Sequence, residues 1–337
     1  MDSGNLSLDG VLHQFATRLV AFEYLASQDK PSRPHSLIFI GGLTDGLGTV
    51  PYVAPLAKAL ETTQWSVFSI LLSSSYNGFG VSSLDLDVEE IGQCVEFVRK
   101  LKGKFGKVVI MGHSTGSQDV LHYLYSPNPL PKDPEFDVGL KYLTRPKLDG
   151  AIMQAPASDR EGTQHLIKTC SQPEEAQGAY EQLVSAAKRQ PWTDDKHDTI
   201  LPMNMTALLG LPGNAPMSSR RFLSLVSPDS PQNPAQDDVF SSDLTDQRHQ
   251  ETFGQIGSRG ILSSSSKLLT LYSGEDEYCP PWVDKEAMLK KWQLATEAGG
   301  ASWDARNGGV IPGAIHNVAD VGQEDLIGRV VRYLHDI

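Results

Sequence analysis

Lys107 to Gln118 reads KVVIMGHSTGSQ. A short apolar run, Val108 to Met111, stops at Gly112 and gives way to His113-Ser114-Thr115-Gly116. Such a run, with no polar alternation, predicts a strand buried on both faces. A helix-compatible segment, Ser117 to Leu124, follows it directly. The pattern G-x-S-x-G between a buried strand and a helix is a nucleophile elbow. The spacing has a steric reason: the serine sits on a strained turn, so the residues two before and two after it must be small. The turn lifts Ser114 Oγ off the sheet edge, at a helix start whose first amides are free for a developing oxyanion.

Working outward, the segments on either side repeat a strand and helix rhythm. Ser36 to Ile40 is a short apolar strand running into Gly41-Gly42-Leu43-Thr44-Asp45-Gly46, with a helix expected from Tyr52 to Thr62. Trp65 to Leu72 reads as a strand and Tyr76 to Gly80 as a loop. Val88, Ile91, Val95 and Val98 fall at helical spacing within Leu84 to Lys102. Before them, His13 to Tyr24 alternates loosely and predicts one or two edge strands, and Lys30 to Pro34 predicts a turn. After the elbow, Leu148 to Gln154 is another apolar strand. This alternation implies a parallel sheet covered by helices.

The rhythm then stops. From 157 to 262 the chain is polar and rich in turn residues, with PWTDD, LPGNAP and SPDSPQNPAQDD. Helices are expected from Gln172 to Arg189 and around Thr245 to Phe253. A disordered linker is one reading of such a stretch. Trp192, Phe222, Leu223, Leu225 and Phe240 give it packing material, so the expectation is an ordered cap with a mobile proline-rich part, 228–234. Residues 1–156 and 263–337 then form the core and 157–262 the cap insertion. The rhythm resumes with KLLTLYS at Lys267 to Ser273, a helix from Trp282 to Glu297, a short strand within Ser302 to Val310, and a helix from Glu324 to His335.

A serine hydroxyl is a poor nucleophile at neutral pH and needs a base oriented by a carboxylate. In α/β-hydrolases the chain order is nucleophile, acid, histidine, the acid following a late strand and the histidine the last one. Asp276 directly follows KLLTLYS, with Pro280 four residues on, and His316 lies in the loop before the final helix. Of nine histidines only His316 has that order and context; His113 abuts the nucleophile but points away from Oγ, and His122 and His335 belong to helices. Glu275 and Glu277 flank Asp276, and either remains an alternative acid. The oxyanion hole needs two backbone N–H groups. Thr115 supplies one, and the glycine loop the other, through Leu43 or, failing that, Thr44. Thr44 is also a candidate substrate contact, as are Trp192 and Arg221 in the cap, for which core packing and a surface ion pair are the alternatives. The glycine pair lacks the G-x-G-x-x-G spacing and a Walker lysine. No His, Cys or Asp cluster has metal-ligand spacing, so neither metal nor cofactor is expected.

With these parts in order, the chain resembles the α/β-hydrolases, and within them a fungal and plant branch. The resemblance rests on the loop IFIGGLTDG (Ile38 to Gly46), the elbow GHSTG, and the cap segments RFLSLVSP (Arg221 to Pro228) and DDVFSSDL (Asp237 to Leu244). It spans nearly the whole chain. That branch includes fungal intracellular esterases that open fusarinine-type siderophores. The resemblance therefore implies a mostly parallel central sheet flanked by helices with an inserted cap. It also implies Ser114, Asp276 and His316 as catalytic residues, and ester hydrolysis on a small molecule such as a ferric siderophore. An esterase, lactonase or thioesterase acting on another secondary metabolite is the alternative enzyme; a catalytically silent fold serving as a ligand receptor is the alternative from another class.

The bulk properties fit. At 337 residues the chain suits one large α/β domain with an insertion. A net charge of −12 argues against nucleic acid or an anionic membrane as partner. The three cysteines are scattered, the N-terminal MDSGNLSLDG has no basic-then-apolar leader, and no apolar run reaches a membrane span. A cytoplasmic setting is expected.

Overall fold

The layering follows from alternation along the central strands. The structure, a computed structural model, describes residues 7–25, 33–103, 105–129, 144–189 and 198–337. Its strands are β1 (Gly10–Ala16), β2 (Leu19–Tyr24), β3 (His35–Ile40), β4 (Trp65–Leu71), β5 (Val108–His113), β6 (Gly150–Gln154), β7 (Lys267–Ser273), β8 (Ser302–Trp303) and β9 (Gly309–Ile311). They form one sheet in the order β1-β2-β4-β3-β5-β6-β7-β8, with β9 also on β7. The β1–β2 and β2–β4 pairings are antiparallel and the others parallel. Successive residues of a strand point to opposite faces. Ile38, Ile110 and Leu268 therefore enter one apolar core, while Leu37, Val109 and Leu269 enter another.

The helices cover both faces. On the second face lie α1 (Val53–Ala59) and, from the chain's end, Gln323–Asp336; on the first lie α2 (Leu84–Lys102) and α3 (Thr115–Tyr125). Ser83 caps α2 by accepting the Leu86 amide, and Asp85 and Asp87 occupy its first turn, where helix dipole and carboxylate attract. Among the described residues no helix is long and apolar enough to cross a membrane.

The stretch after β6 is helical. It contains α4 (Asp159–Thr169), α5 (Pro173–Lys188), α6 (Met203–Ala207), α7 (Ser219–Val226), α8 (Asp246–Glu251) and α9 (Ile256–Arg259), before α10 (Lys285–Ala298) and the final α11 (Gln323–Asp336). Only part of it packs apart from the sheet. Ile167, Leu183, Leu201, Leu209, Met217 and Phe222 belong to a third apolar cluster over the loop of Phe79. Val239, Phe240, Phe253 and Ile256 instead join the first core, where the Phe253 ring stacks 5.3 Å from that of Trp292 on α10.

The two cap segments that carry the resemblance form the junction between these units. Arg221 on α7 is buried and pairs with Asp237 at 2.5 Å, and Arg160 on α4 pairs with Asp238 at 2.9 Å. The Ser242 amide and hydroxyl both donate to Glu161. Where a mobile stretch is expected, 228–234, the chain is tied by short hydroxyls: Ser227 Oγ meets Ser230 Oγ at 2.7 Å and accepts the Ala235 amide at 2.8 Å. The short strand expected within Ser302 to Val310 is two strands, because Asp304 Oδ1 accepts the amides of Arg306 and Asn307 and turns the chain between them.

Candidate active site

The site is assembled from the loops that follow β3, β5, β6, β7 and β9. At the end of β5, Ser114 has φ 55° and ψ −123°, a conformation that a non-glycine residue adopts at a cost of order 1–3 kcal/mol. Neighbours hold it there. The Ser114 amide donates to the Gln154 carbonyl at 2.9 Å, and Ser117 N–H returns to the Ser114 carbonyl at 2.8 Å. A Cβ on Gly112 would lie 2.0 Å from the Gly116 carbonyl oxygen, so the first glycine of the elbow is a steric requirement. The second loop approaches as closely: a Cβ on Gly42 would fall 2.6 Å from Ser114 Cβ and 3.2 Å from its Oγ.

Asp45 shapes that loop. Its carboxylate accepts the Gly42 amide at 2.8 Å, while its own amide donates to the Gly42 carbonyl at 3.0 Å. Among the described residues the amides of Leu43 and Thr115 have no acceptor. Thr115 is the first residue of α3, where a free N–H forms part of the positive end of the helix dipole.

His316 follows β9. Its Nδ1 lies 2.8 Å from both carboxylate oxygens of Asp276, which is buried and also accepts the Tyr278 amide at 3.0 Å. Of the three neighbouring acids, only Asp276 reaches this imidazole. Glu277 takes the backbone instead, accepting the His316 amide at 2.8 Å, and Glu275 is exposed. The Tyr278 ring meets His316 edge-on at 4.8 Å.

Beneath His316 lies a buried polar network. Gln154, at the end of β6, donates through Nε2 to Ser273 Oγ at 3.1 Å and to the His316 carbonyl at 3.3 Å. Its Oε1 accepts the Tyr52 hydroxyl at 3.1 Å and contacts His113 Nδ1. Since Oε1 only accepts, His113 carries its hydrogen on Nδ1. Burial, reinforced by the charge of the neighbouring His316, pushes His113 down to about 4, so it stays neutral beside the base. The expected outward turn of His113 from Ser114 is this contact with Gln154.

Ser114, His316, Leu43 and Thr44 all line one cavity of about 390 Å³. Thr44 has φ 68°, which turns it toward that space. Phe79, Leu166, Leu209, Leu211 and Pro212 form its apolar side. Arg221 is not part of it. The guanidinium lies behind the Gly41-Gly42-Leu43 loop, in a separate space of about 20 Å³, and its partner is a buried rather than a surface carboxylate. Trp192 lies outside the described residues. Among the described residues no group of three or more His, Cys, Asp or Glu could hold a metal ion.

Gln154, Asp45 and the cavity carboxylate Asp159 escape the reading of the sequence, and Glu277, an alternative acid there, holds the His316 amide instead. The one available signal was the polar end of an otherwise apolar strand, GAIMQ, which places an amide at the sheet's edge beside the elbow.

Parallel sheet, elbow, histidine with its carboxylate and overlying helices together define an α/β-hydrolase. The chain belongs to the family described as "Protein of unknown function (DUF1749)", whose model matches residues 1–335. It is 47% identical to an esterase of Emericella nidulans, over 97% of this chain and 92% of that protein. It is 45% identical to the fusarinine C esterase sidJ of Aspergillus fumigatus, over 97% of this chain and 96% of that one. The solved structure of the siderophore hydrolase EstB from Aspergillus fumigatus superposes with a TM-score of 0.85 at 42% identity, covering 99% and 98% of the two chains.

Proposed function

We propose that this protein is a serine esterase that opens the ester bonds of fusarinine-type siderophores inside the cell. The observation that carries the reading is that a strained serine at the elbow and an Asp276-held histidine line one cavity. The named activities of relatives similar over nearly the whole chain support the substrate class.

Each residue then has a defined task. Asp276 fixes Nδ1–H, so Nε2 of His316 is free to accept the proton of Ser114 Oγ as that oxygen bonds to the ester carbonyl carbon. Negative charge moves to the carbonyl oxygen, where the Leu43 and Thr115 amides are available as donors. As the C–O bond to the alcohol breaks, His316 returns the proton to the leaving oxygen. Water repeats the sequence on the acyl-enzyme, and Ser114 regains its hydrogen. The cavity's apolar side excludes water from the remainder of the acyl group.

The test has two arms. A fluorophosphonate should label the wild type and not Ser114→Ala, and mass spectrometry should find the label on Ser114. Incubation with ferric fusarinine C, its triacetylated form and simple aryl esters, followed by mass, should give ring-opened products. Labelling with aryl-ester turnover alone would move the substrate to another secondary metabolite; no labelling and no turnover would leave a ligand receptor.

A further inference from the structure

Three carboxylates line the cavity of Ser114: Asp45, Asp159 and Glu277. Among the described residues no lysine or arginine lines it. The histidine at its floor, His113, is kept neutral by burial. Two of the three acids are already engaged. Asp45 holds the Gly42 amide with one oxygen and the Thr49 hydroxyl with the other, and Glu277 holds the His316 amide. Asp159 differs. Its Oδ2 accepts Gln118 Nε2 at 2.7 Å, while its Oδ1 has no donor among the described residues.

That carboxylate is also held in place. Gln118 lies one turn along α3 from the nucleophile, and its Nε2 donates to the Asp237 carbonyl at 2.9 Å as well. Asp159 is thereby tied to the helix that carries the Thr115 amide, although it belongs to α4. Leu166, Leu209, Leu211 and Pro212 give the same cavity apolar lining. Burial pushes Asp159 up to about 6, opposed by the Gln118 hydrogen bond, so most of it is ionised at neutral pH. A half-desolvated anion with one unpaired oxygen gains from a cation that enters the same space.

We propose that Asp159 determines specificity by receiving a cationic nitrogen of the substrate, so that the preferred ester carries an ammonium group within reach of the reacting carbonyl. The inference rests on the esterase reading. A purely structural Asp159, present for the first turn of α4, would affect charged and neutral substrates alike.

Two para-nitrophenyl esters of the same shape separate these roles: that of a trimethylammonio-butanoic acid and that of its tert-butyl isostere. In the wild type, kcat/KM for the cationic ester should exceed that for the neutral one by at least about tenfold, the scale of one close charge pair. Asp159→Asn keeps an acceptor for Gln118 and should remove most of that ratio, the cationic ester losing about tenfold more than the neutral one. Asp159→Ser, read the same way, serves if the first variant does not fold. A wild type without preference, or a folded variant with an unchanged ratio, overturns the proposal. Calorimetric binding of both esters to Ser114→Ala reads the ratio without turnover. A wild type that binds the cationic ester selectively but cleaves neither would refute the esterase reading and leave the role of Asp159 standing.

Discussion

Replacing Asp276 by asparagine tests the site at its most constrained point. Oδ1 accepts the Tyr278 amide at 3.0 Å and lies 2.8 Å from His316 Nδ1. An asparagine keeps its oxygen there, since the Tyr278 N–H needs an acceptor, and so turns its NH₂ to the place of Oδ2. That position is also 2.8 Å from Nδ1. Two N–H donors cannot face each other, so the imidazole hydrogen moves to Nε2. In the proposed mechanism Nε2 accepts the Ser114 proton. The wrong tautomer cost about 10⁴-fold in another triad, equivalent to about 5 kcal/mol of transition-state stabilisation. A similar loss in kcat/KM is expected here with para-nitrophenyl butyrate, in a variant whose circular dichroism matches the parent. Glu277→Gln still offers an oxygen to the His316 amide, and Glu275 is exposed; each glutamine variant should stay within about tenfold of the parent. If Asp276→Asn loses less than about a hundredfold, or if Glu277→Gln matches it, the tautomer argument fails.

The elbow, the buried ion pair and the acidic interior each give a further test. Ser114→Gly removes the side chain that makes φ 55° costly, so the variant should be inactive yet more stable by about 1 kcal/mol in urea unfolding. Arg221→Met leaves Asp237 buried and unpaired, and should lower unfolding free energy by about 3–5 kcal/mol. Burial pushes Asp87 up to about 7 against the pull of Arg221. An unfolded aspartate ionises near about 4, so between about 4 and 7 the folded state holds the extra proton, and stability falls as pH rises through that window. Asp87→Asn should flatten this decline, measured by chemical denaturation at several pH values.

What could be read from the sequence was local. The elbow announced itself because strand, turn and helix follow one another within Lys107 to Gln118, and His316 because it precedes the last helix. Among Glu275, Asp276 and Glu277, only the Asp276 carboxylate meets His316 Nδ1, since a strand end lets one of three neighbours face a given partner. Arg221 shows where such reading stops. The sequence offered it as a substrate contact or a surface ion pair, but Ser218 caps its helix α7 and the guanidinium turns inward to Asp237, sixteen residues on. Gln154 and Asp159 were illegible for the same reason, because their partners, His316 and Gln118, lie far along the chain. Helix α4 was hidden by its polar exposed face, and the strand expected as one near Ser302 was divided by a turn that only the Asp304 side chain specifies.

The ends of the helical insertion meet again in the sheet. Strands β6 and β7 are neighbours, the Ala155 amide donates to the Leu271 carbonyl at 2.8 Å, and Leu148 bridges Leu262 where the chain returns. Entrance and exit are therefore fixed by hydrogen bonds that do not depend on what lies between them. Closing a loop becomes costlier only with the logarithm of its length, so doubling it adds about 0.6 kcal/mol. The helices of the third apolar cluster can lengthen, shrink or be exchanged while Ser114, Asp276 and His316 keep their spacing. On the proposed function, a change in the ester accepted needs a new lining at Asp159, Leu209 and Leu211, while the strand ends that hold Ser114, Asp276 and His316 are inherited unaltered.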